Sequence, residues 1–241
     1  MIFNEKVKIQ LKDIEKGNYI KNKGILEIFE NVATHHSDLV GYGPNSIKET
    51  GISWILFDWK IKVIKRPKYG QTLSINTWGR LKKKVYTYRD FEMYDEDGNL
   101  CVIGTSKWAI VNIETNKIEK ITDEIYERYQ LEEKDVFNVG ELEKISEQED
   151  YSKEFIYHVS RRDIDLNSHM HNLYYLDLAY EVLPEEVYKK RPFNEVRINY
   201  KKEVKLGDIV RCRYTFFNNE HIITICNNKD FSKVHALITL K

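Results

Sequence analysis

Apolar positions follow two different rhythms along this chain. Near the N-terminus Val7, Ile9 and Leu11 alternate within Phe3–Leu11, a strand signal with those three facing one way. Ile25, Ile28, Phe29, Val32, His36 and Leu39 then recur at helical spacing, beginning just after Gly24 and stopping at Gly41 and Gly43, which predicts one amphipathic helix. From Trp54 to Trp108 the period returns to two, through Ile61, Val63, Leu73, Ile75, Val85, Phe91 and Met93. Turn signals at Arg66-Pro67, Tyr69-Gly70, Gly79 and Asp95-Glu96-Asp97-Gly98 punctuate it as an antiparallel meander. One helix followed by consecutive strands is an α+β pattern.

The second half replays this order. A strand over Tyr151–Val159 leads through a polar turn to a helix striped by Leu173, Leu176, Tyr180 and Leu183 and ended by Pro184. Strands follow around Val196–Tyr200, Ile209–Phe217, Ile222–Cys226 and Val234–Leu240. Ile61-x-Val63 to Pro67 and Gly70 is echoed by Ile198-x-Tyr200 to Val204 and Gly207, with nine residues from Ile to Gly in both. Duplication is the economical explanation. The expected division is an N-terminal unit 1–113, an acidic connector 114–150 holding a short helix around Ile125, Tyr126 and Tyr129, and a C-terminal unit 151–241.

At 241 residues there is material for two modest cores, and 16 Tyr with 10 Phe argue against disorder. A formal net charge of zero excludes the strongly basic footprint of a dedicated nucleic-acid binder. The charge is unevenly spread: residues 114–154 hold 14 Asp or Glu against 6 Lys or Arg, leaving the rest of the chain with a basic surplus of eight. No run nears the ~20 apolar residues of a bilayer span, and the start lacks a signal-peptide layout, so a cytoplasmic protein without membrane partners is expected. Cys101, Cys212 and Cys226 are odd in number, far apart and in no CxxC pair, which suggests neither disulfides nor a zinc site.

The densest polar run is Arg161-Arg162-Asp163-Ile164-Asp165-Leu166-Asn167-Ser168-His169-Met170-His171-Asn172, between a strand and a helix. Asp165, Asn167 and His169 recur every second residue, so an extended turn would aim all three to one side, beside helix N-terminal N–H groups. That is the make-up of a hydrolytic site. A blander reading stays open: Asp163, Asp165 or Asn167 caps the following helix. A calcium loop fits positions one, three and five but fails at Ser168, where glycine is required, and at Tyr174, where the bidentate Glu belongs. A metal on His169 and His171 lacks further clustered ligands. No cofactor motif is present in the sequence.

The combination Asp165-x-Asn167-x-His169 with Asn172-x-x-Tyr175 resembles the active-site segment of the plant and bacterial acyl-acyl-carrier-protein (acyl-ACP) thioesterases. Tyr200-Lys201-Lys202-Glu203-Val204-Lys205-Leu206-Gly207-Asp208 is similar to that family's second site segment, where a Glu-Cys pair precedes Gly-Asp. Trp54-x-Leu56, Arg66-Pro67-x-x-Gly70, Arg89-Asp90-Phe91 and Thr105-Ser106-x-Trp108 extend the likeness over nearly the whole chain.

The resemblance implies a tandem, double hotdog fold, each unit a long helix wrapped by an antiparallel sheet, and hydrolysis of fatty acyl-ACP to free acid and carrier. It implies Asp165, Asn167, His169 and Glu203 as the catalytic set, with the first unit supplying the acyl pocket through residues such as Phe29, Trp54, Phe57 and Trp59. The chain departs from the pattern at Val204, where the plant enzymes carry Cys, and at His171, where Asn is usual. The acidic carrier is the expected partner. Basic series at Lys60/Lys62/Lys65/Arg66/Lys68, Arg80/Lys82/Lys83/Lys84, Arg161/Arg162 and Lys189/Lys190/Arg191 are the candidate docking charges. A monomer or homodimer is expected. An acyl-coenzyme A thioesterase, a non-catalytic acyl-binding protein and a hotdog dehydratase are the competing readings.

Overall fold

Period-two alternation becomes one antiparallel sheet in each half of the chain. The computed structural model describes residues 1–81 and 83–241; Lys82, one of the basic series above, lies outside the described residues. The chain divides into two units, Met1–Leu142 and Glu143–Lys241.

The first unit runs β1 (Phe3–Lys8), α1 (Asn22–Leu39), α2 (Ile47–Thr50), β2 (Ile52–Val63), β3 (Thr72–Arg80), β4 (Thr87–Tyr94), β5 (Leu100–Asn112), β6 (Lys117–Glu119) and α3 (Asp123–Tyr129). Its sheet has the order β1-β3-β4-β5-β2, all antiparallel, with β6 on β5. The apolar stripe of α1 (Ile25, Phe29, Val32) is wholly buried against it, with Phe29 stacked on Phe91 at 4.6 Å and Trp59 alongside. Gly104 makes this approach possible: a Cβ there would meet the Phe29 ring at 2.7 Å. The helix starts at Asn22, two residues before Gly24, and Gly24 lets its first turn approach Asp13, whose backbone oxygen a Cβ there would meet at 2.9 Å. Phe29 and Trp59 are therefore core, whereas Trp54 and Phe57 keep partial exposure.

The second unit runs β7 (Lys153–His158), α4 (Tyr174–Val182), α5 (Glu185–Tyr188), β8 (Glu195–Tyr200), β9 (Ile209–Phe217), β10 (Glu220–Asn227) and β11 (Val234–Leu240). Its sheet has the order β8-β11-β10-β9-β7, again antiparallel throughout. Leu176, Ala179 and Val182 on α4 are buried, as are Ile198, Cys212, Ile225 and Ala236 on the strands. Each unit is thus one main helix against an antiparallel sheet, as the resemblance implies. Among the described residues no helix is long and apolar enough to cross a membrane.

Two local expectations change. Leu11 does not share the inward face with Ile9: the strand ends at Lys8, the chain turns through a short 3₁₀ segment, and Leu11 is 72% exposed. The acidic segment 114–150 is divided between the units, and its residues 130–142 lie across the first sheet. Glu132 N donates to Gly79 O (2.9 Å), Trp78 Nε1 to Lys134 O (2.9 Å), Val136 N to Asp90 Oδ2 (3.0 Å) and Leu142 N to Tyr88 Oη (3.2 Å). Arg80 fastens it, its Nε 2.8 Å from Asp90, its Nη1 3.3 Å from Asp135 and 2.7 Å from Gly140 O. So Arg80 is committed to the interior and is not a docking charge. Burial pushes the Asp90 carboxyl up and the Arg80 guanidinium opposes this. Removing one partner of such a pair strands the other charge. Arg80→Met is expected to destabilise the unit by about 3–5 kcal/mol, read as a lower urea midpoint.

His36 gives a second handle. It is fully buried on α1, stacked on Phe3 at 5.2 Å, with its Nδ1 accepting from Arg89 Nη1 at 3.0 Å. Burial first, then the Arg89 charge, push its pKa from 6.5 down to about 3. The unfolded imidazole takes a proton below pH 6.5 and the folded one only near pH 3, so the unfolded state binds more protons in between and stability rises with pH across that window. Going from pH 7 to pH 5 should cost on the order of 1–2 kcal/mol from this group. Urea unfolding at the two pH values checks it, and His36→Gln should flatten the difference.

Candidate active site

The polar run after β7 is built from nested turns. The carboxylate of Asp163 folds back on the residues before it, Oδ2 accepting from Ser160 N (2.7 Å), Ser160 Oγ (2.9 Å) and Tyr157 Oη (2.8 Å). Burial would raise its pKa, but the hydrogen bonds from Ser160 and Tyr157 outweigh this and hold it below the usual carboxylate range. Asp163 thereby caps the 3₁₀ turn Arg161–Asp163, not the helix. Asp165 closes the next turn. Its N donates to His169 O (2.8 Å), and its Oδ1 accepts from Asn167 N (2.8 Å) and His169 N (3.2 Å). The segment is therefore a tight reversal, with Ser168 at φ 63°, and not the extended run that alternate spacing suggested. Helix α4 has no side-chain cap, and His171 Nδ1 accepts from Leu173 N at 3.3 Å just before it.

Backbone pairing joins this loop to the turn after β8. Met170 N donates to Val204 O at 2.8 Å, and His169 bridges to Lys205. That pairing sets His169 Nε2 3.1 Å from Glu203 Oε2, while Glu203 Oε1 lies 3.1 Å from Lys205 Nζ. His169 is 33% exposed and Glu203 54%, so the pair opens to solvent, and the Asn167 side chain is exposed as well. Below it Tyr175 is buried edge-on to Tyr200, whose hydroxyl donates to Asn172 O (2.9 Å), and burial pushes the Tyr175 phenol up. The reversal thus places Asp165 on the backbone of His169 and a His–Glu pair at the surface, an arrangement suited to activating a water. Among the described residues no group of three or more His, Cys, Asp or Glu is placed to hold a metal.

Residues 1–129 match the profile of the acyl-ACP thioesterase N-terminal domain, and residues 146–238 that of its C-terminal domain. The chain belongs to the acyl-ACP thioesterase family. The oleoyl-acyl carrier protein thioesterase 1 of Arabidopsis thaliana is 23% identical over 224 residues, which is 86% of this chain and 62% of that protein. A second one from the same plant is 25% identical over 202 residues, and the chain spans 55% of its length. In structure it is similar to the 12:0-ACP thioesterase of Umbellularia californica (TM-score 0.87, 16% identity, covering 100% of this chain and 96% of that one). The acyl-ACP thioesterase of Bacteroides thetaiotaomicron is comparable (0.85, 21%, 99% and 96%). The fold is the double hotdog of this family.

The first unit contains a second copy of the site's backbone, offset by 150 residues in the loop. Glu15 N donates to Tyr19 O (2.9 Å), Asn18 N to Glu15 O (3.0 Å), Lys21 N to Asp13 O (2.8 Å) and Ile20 N to Pro67 O (3.0 Å), and Asn18 repeats the φ of 63° seen at Ser168. Glu15, Gly17, Tyr19 and Arg66 stand where the second unit has Asp165, Asn167, His169 and Glu203. Arg66 Nη1 bonds Ile20 O and Asn22 Oδ1, both at 2.9 Å, so a structural cation occupies the place of the acid. Sequence reading missed this repeat. Asp13-Ile14 with Asn22, against Asp163-Ile164 with Asn172, was the signal available.

The cysteines are remote from this chemistry. Cys101, Cys212 and Cys226 are all buried free thiols, and burial pushes each pKa up. Folded protein is expected to resist iodoacetamide at pH 8, with no thiol alkylated in intact-mass spectra until denaturant is added.

Proposed function

We propose that this protein hydrolyses the thioester of fatty acyl-ACP, releasing free fatty acid and carrier. The observation that carries the reading is the His169–Glu203 pair, 3.1 Å apart on a frame of Asp165 turn bonds, in a chain of this family. Glu203 acts as general base on a water, with His169 holding its carboxylate. The water oxygen bonds to the carbonyl carbon as its proton passes to Glu203, and collapse of the tetrahedral adduct breaks the C–S bond, the leaving thiolate taking that proton from Glu203 and restoring the carboxylate. The exposed Asn167 amide donates to the developing oxyanion. Asp165 fixes the loop that carries both.

The carrier is acidic, and the exposed Arg161 and Arg162 beside the site are the docking charges best supported. Trp54 and Phe57 in the first unit, the two aromatic candidates with residual exposure, are assigned to the acyl pocket. The protein works in the cytoplasm, where the carrier is free in solution.

Free-acid release from a panel of C8 to C18 acyl-ACP thioesters tests this, with acyl-coenzyme A of equal length in parallel. Turnover of the carrier thioesters is expected, with kcat at least about a hundredfold lower in Glu203→Gln and in Asp165→Asn. Turnover of the coenzyme A esters alone would move the assignment to that leaving group, and binding without turnover would make the protein an acyl-binding module.

A further inference from the structure

Glu203 is exposed, and a half-exposed carboxylate on a surface turn has many rotamers open to it. Its carboxylate meets His169 Nε2 and Lys205 Nζ, both at 3.1 Å, and the direction in which the side chain leaves the turn toward them is set by the peptides on either side. On the far side the turn is fixed by Met170 N on Val204 O (2.8 Å) and by Lys205 N on Asp208 Oδ2 (2.8 Å). On the near side one residue does the work. His235, on β11, accepts Lys201 N (2.8 Å) and Lys202 N (3.3 Å) at its backbone oxygen, and its ring Nδ1 lies 3.2 Å from Lys202 O.

A carbonyl oxygen only accepts, so the ring proton is on Nδ1 and the contact is an N–H···O=C hydrogen bond. The ring is 7% exposed, and its Nε2 is buried with no hydrogen-bond partner among the described residues. A bare buried acceptor carries a desolvation cost, so an apolar side chain would suit this position better if only packing mattered. What an apolar side chain cannot supply is the donor to the peptide that immediately precedes Glu203.

We propose that His235 is a positioning residue that sets the direction of Glu203 by holding the Lys202 carbonyl from behind. This rests on the reading of Glu203 as the base and adds to it the residue that aims that base. Its ring bonds the backbone and not the reacting groups, so it acts through Glu203.

The test uses the full chain with His235→Asn, His235→Gln and His235→Leu. Asn puts an N–H where Nδ1 is; Gln puts its amide near Nε2 and leaves Lys202 O unserved. Asn is expected to stay within about threefold of the wild-type kcat, while Gln and Leu fall roughly ten- to a hundredfold with KM for the acyl-ACP thioester within about threefold. In a Glu203→Gln background, Asn-to-Gln and Asn-to-Leu changes are expected to alter the residual rate less than twofold, because the group being aimed is gone. Equal losses in Asn and Gln, a loss confined to KM, or the same factor persisting without Glu203 would each overturn the proposal. Should the Leu variant fail to fold, the Asn-against-Gln ordering still decides. If wild type hydrolyses none of the thioesters, the hydrolase reading fails, and the clamp is then read by hydrogen exchange. Faster exchange of the 201–204 amides in Gln but not Asn supports it, and unchanged exchange in both overturns it.

Discussion

The hydrogen bond from Met170 N to Val204 O, 2.8 Å long and spanning two segments remote in sequence, is the contact on which the site depends. It seats the loop after β7 on the turn after β8, and everything chemical follows from that seat. His169 and Glu203 are its immediate neighbours in sequence, so their side chains meet without needing any attraction of their own. An exposed side-chain contact of this kind contributes at most about 1 kcal/mol and could not by itself hold two loops together. The backbone does that, and the pair inherits its geometry.

The first unit shows that the frame and the chemistry are separable. Ile20 N on Pro67 O repeats the seat at 3.0 Å, and the turn bonds of Glu15, Asn18 and Lys21 repeat the rest. The side chains on that frame are different, and Arg66 ties the loop down through Ile20 O and Asn22 Oδ1 where the second unit presents a carboxylate to solvent. One frame is locked by its own cation and the other is left open to water. The duplicated backbone, with the His169 imidazole and the Glu203 carboxylate in one copy and Tyr19 and Arg66 at their places in the other, accounts for why hydrolytic chemistry is assigned to the second unit.

Legibility from sequence followed the same division between backbone and side chain. Strands read from alternation reappear closely, with β9 at Ile209–Phe217 and β11 at Val234–Leu240, because one buried face fixes a period-two pattern. Asp165, Asn167, His169 and Glu203 stood out through their resemblance to family segments, and the structure brings His169 and Glu203 together while turning Asp165 onto its own loop. Turn geometry set by Ser168 in the left-handed region leaves no trace in polar spacing, so the reversal was read as extended. The repeated loop escaped notice because its copies share backbone bonds rather than chemistry. Arg80 and Arg66 read as surface charge, since composition cannot say which cations a buried Asp90 or a loop carbonyl will claim.

Val204 bears on the choice of nucleophile. Where the family's plant pattern has cysteine, this valine is fully buried, and its carbonyl carries the seat for Met170. The position is thus a wall of the core whose backbone matters more than its side chain. Burial raises a thiol's pKa, as it does at Cys212, so a cysteine in such a wall would be a poor nucleophile. Glu203, one residue earlier, points outward on the same turn and meets water. A turn that buries residue 204 and exposes residue 203 favours base-activated water over a thiolate, and loss of the cysteine then removes no group that the proposed chemistry uses.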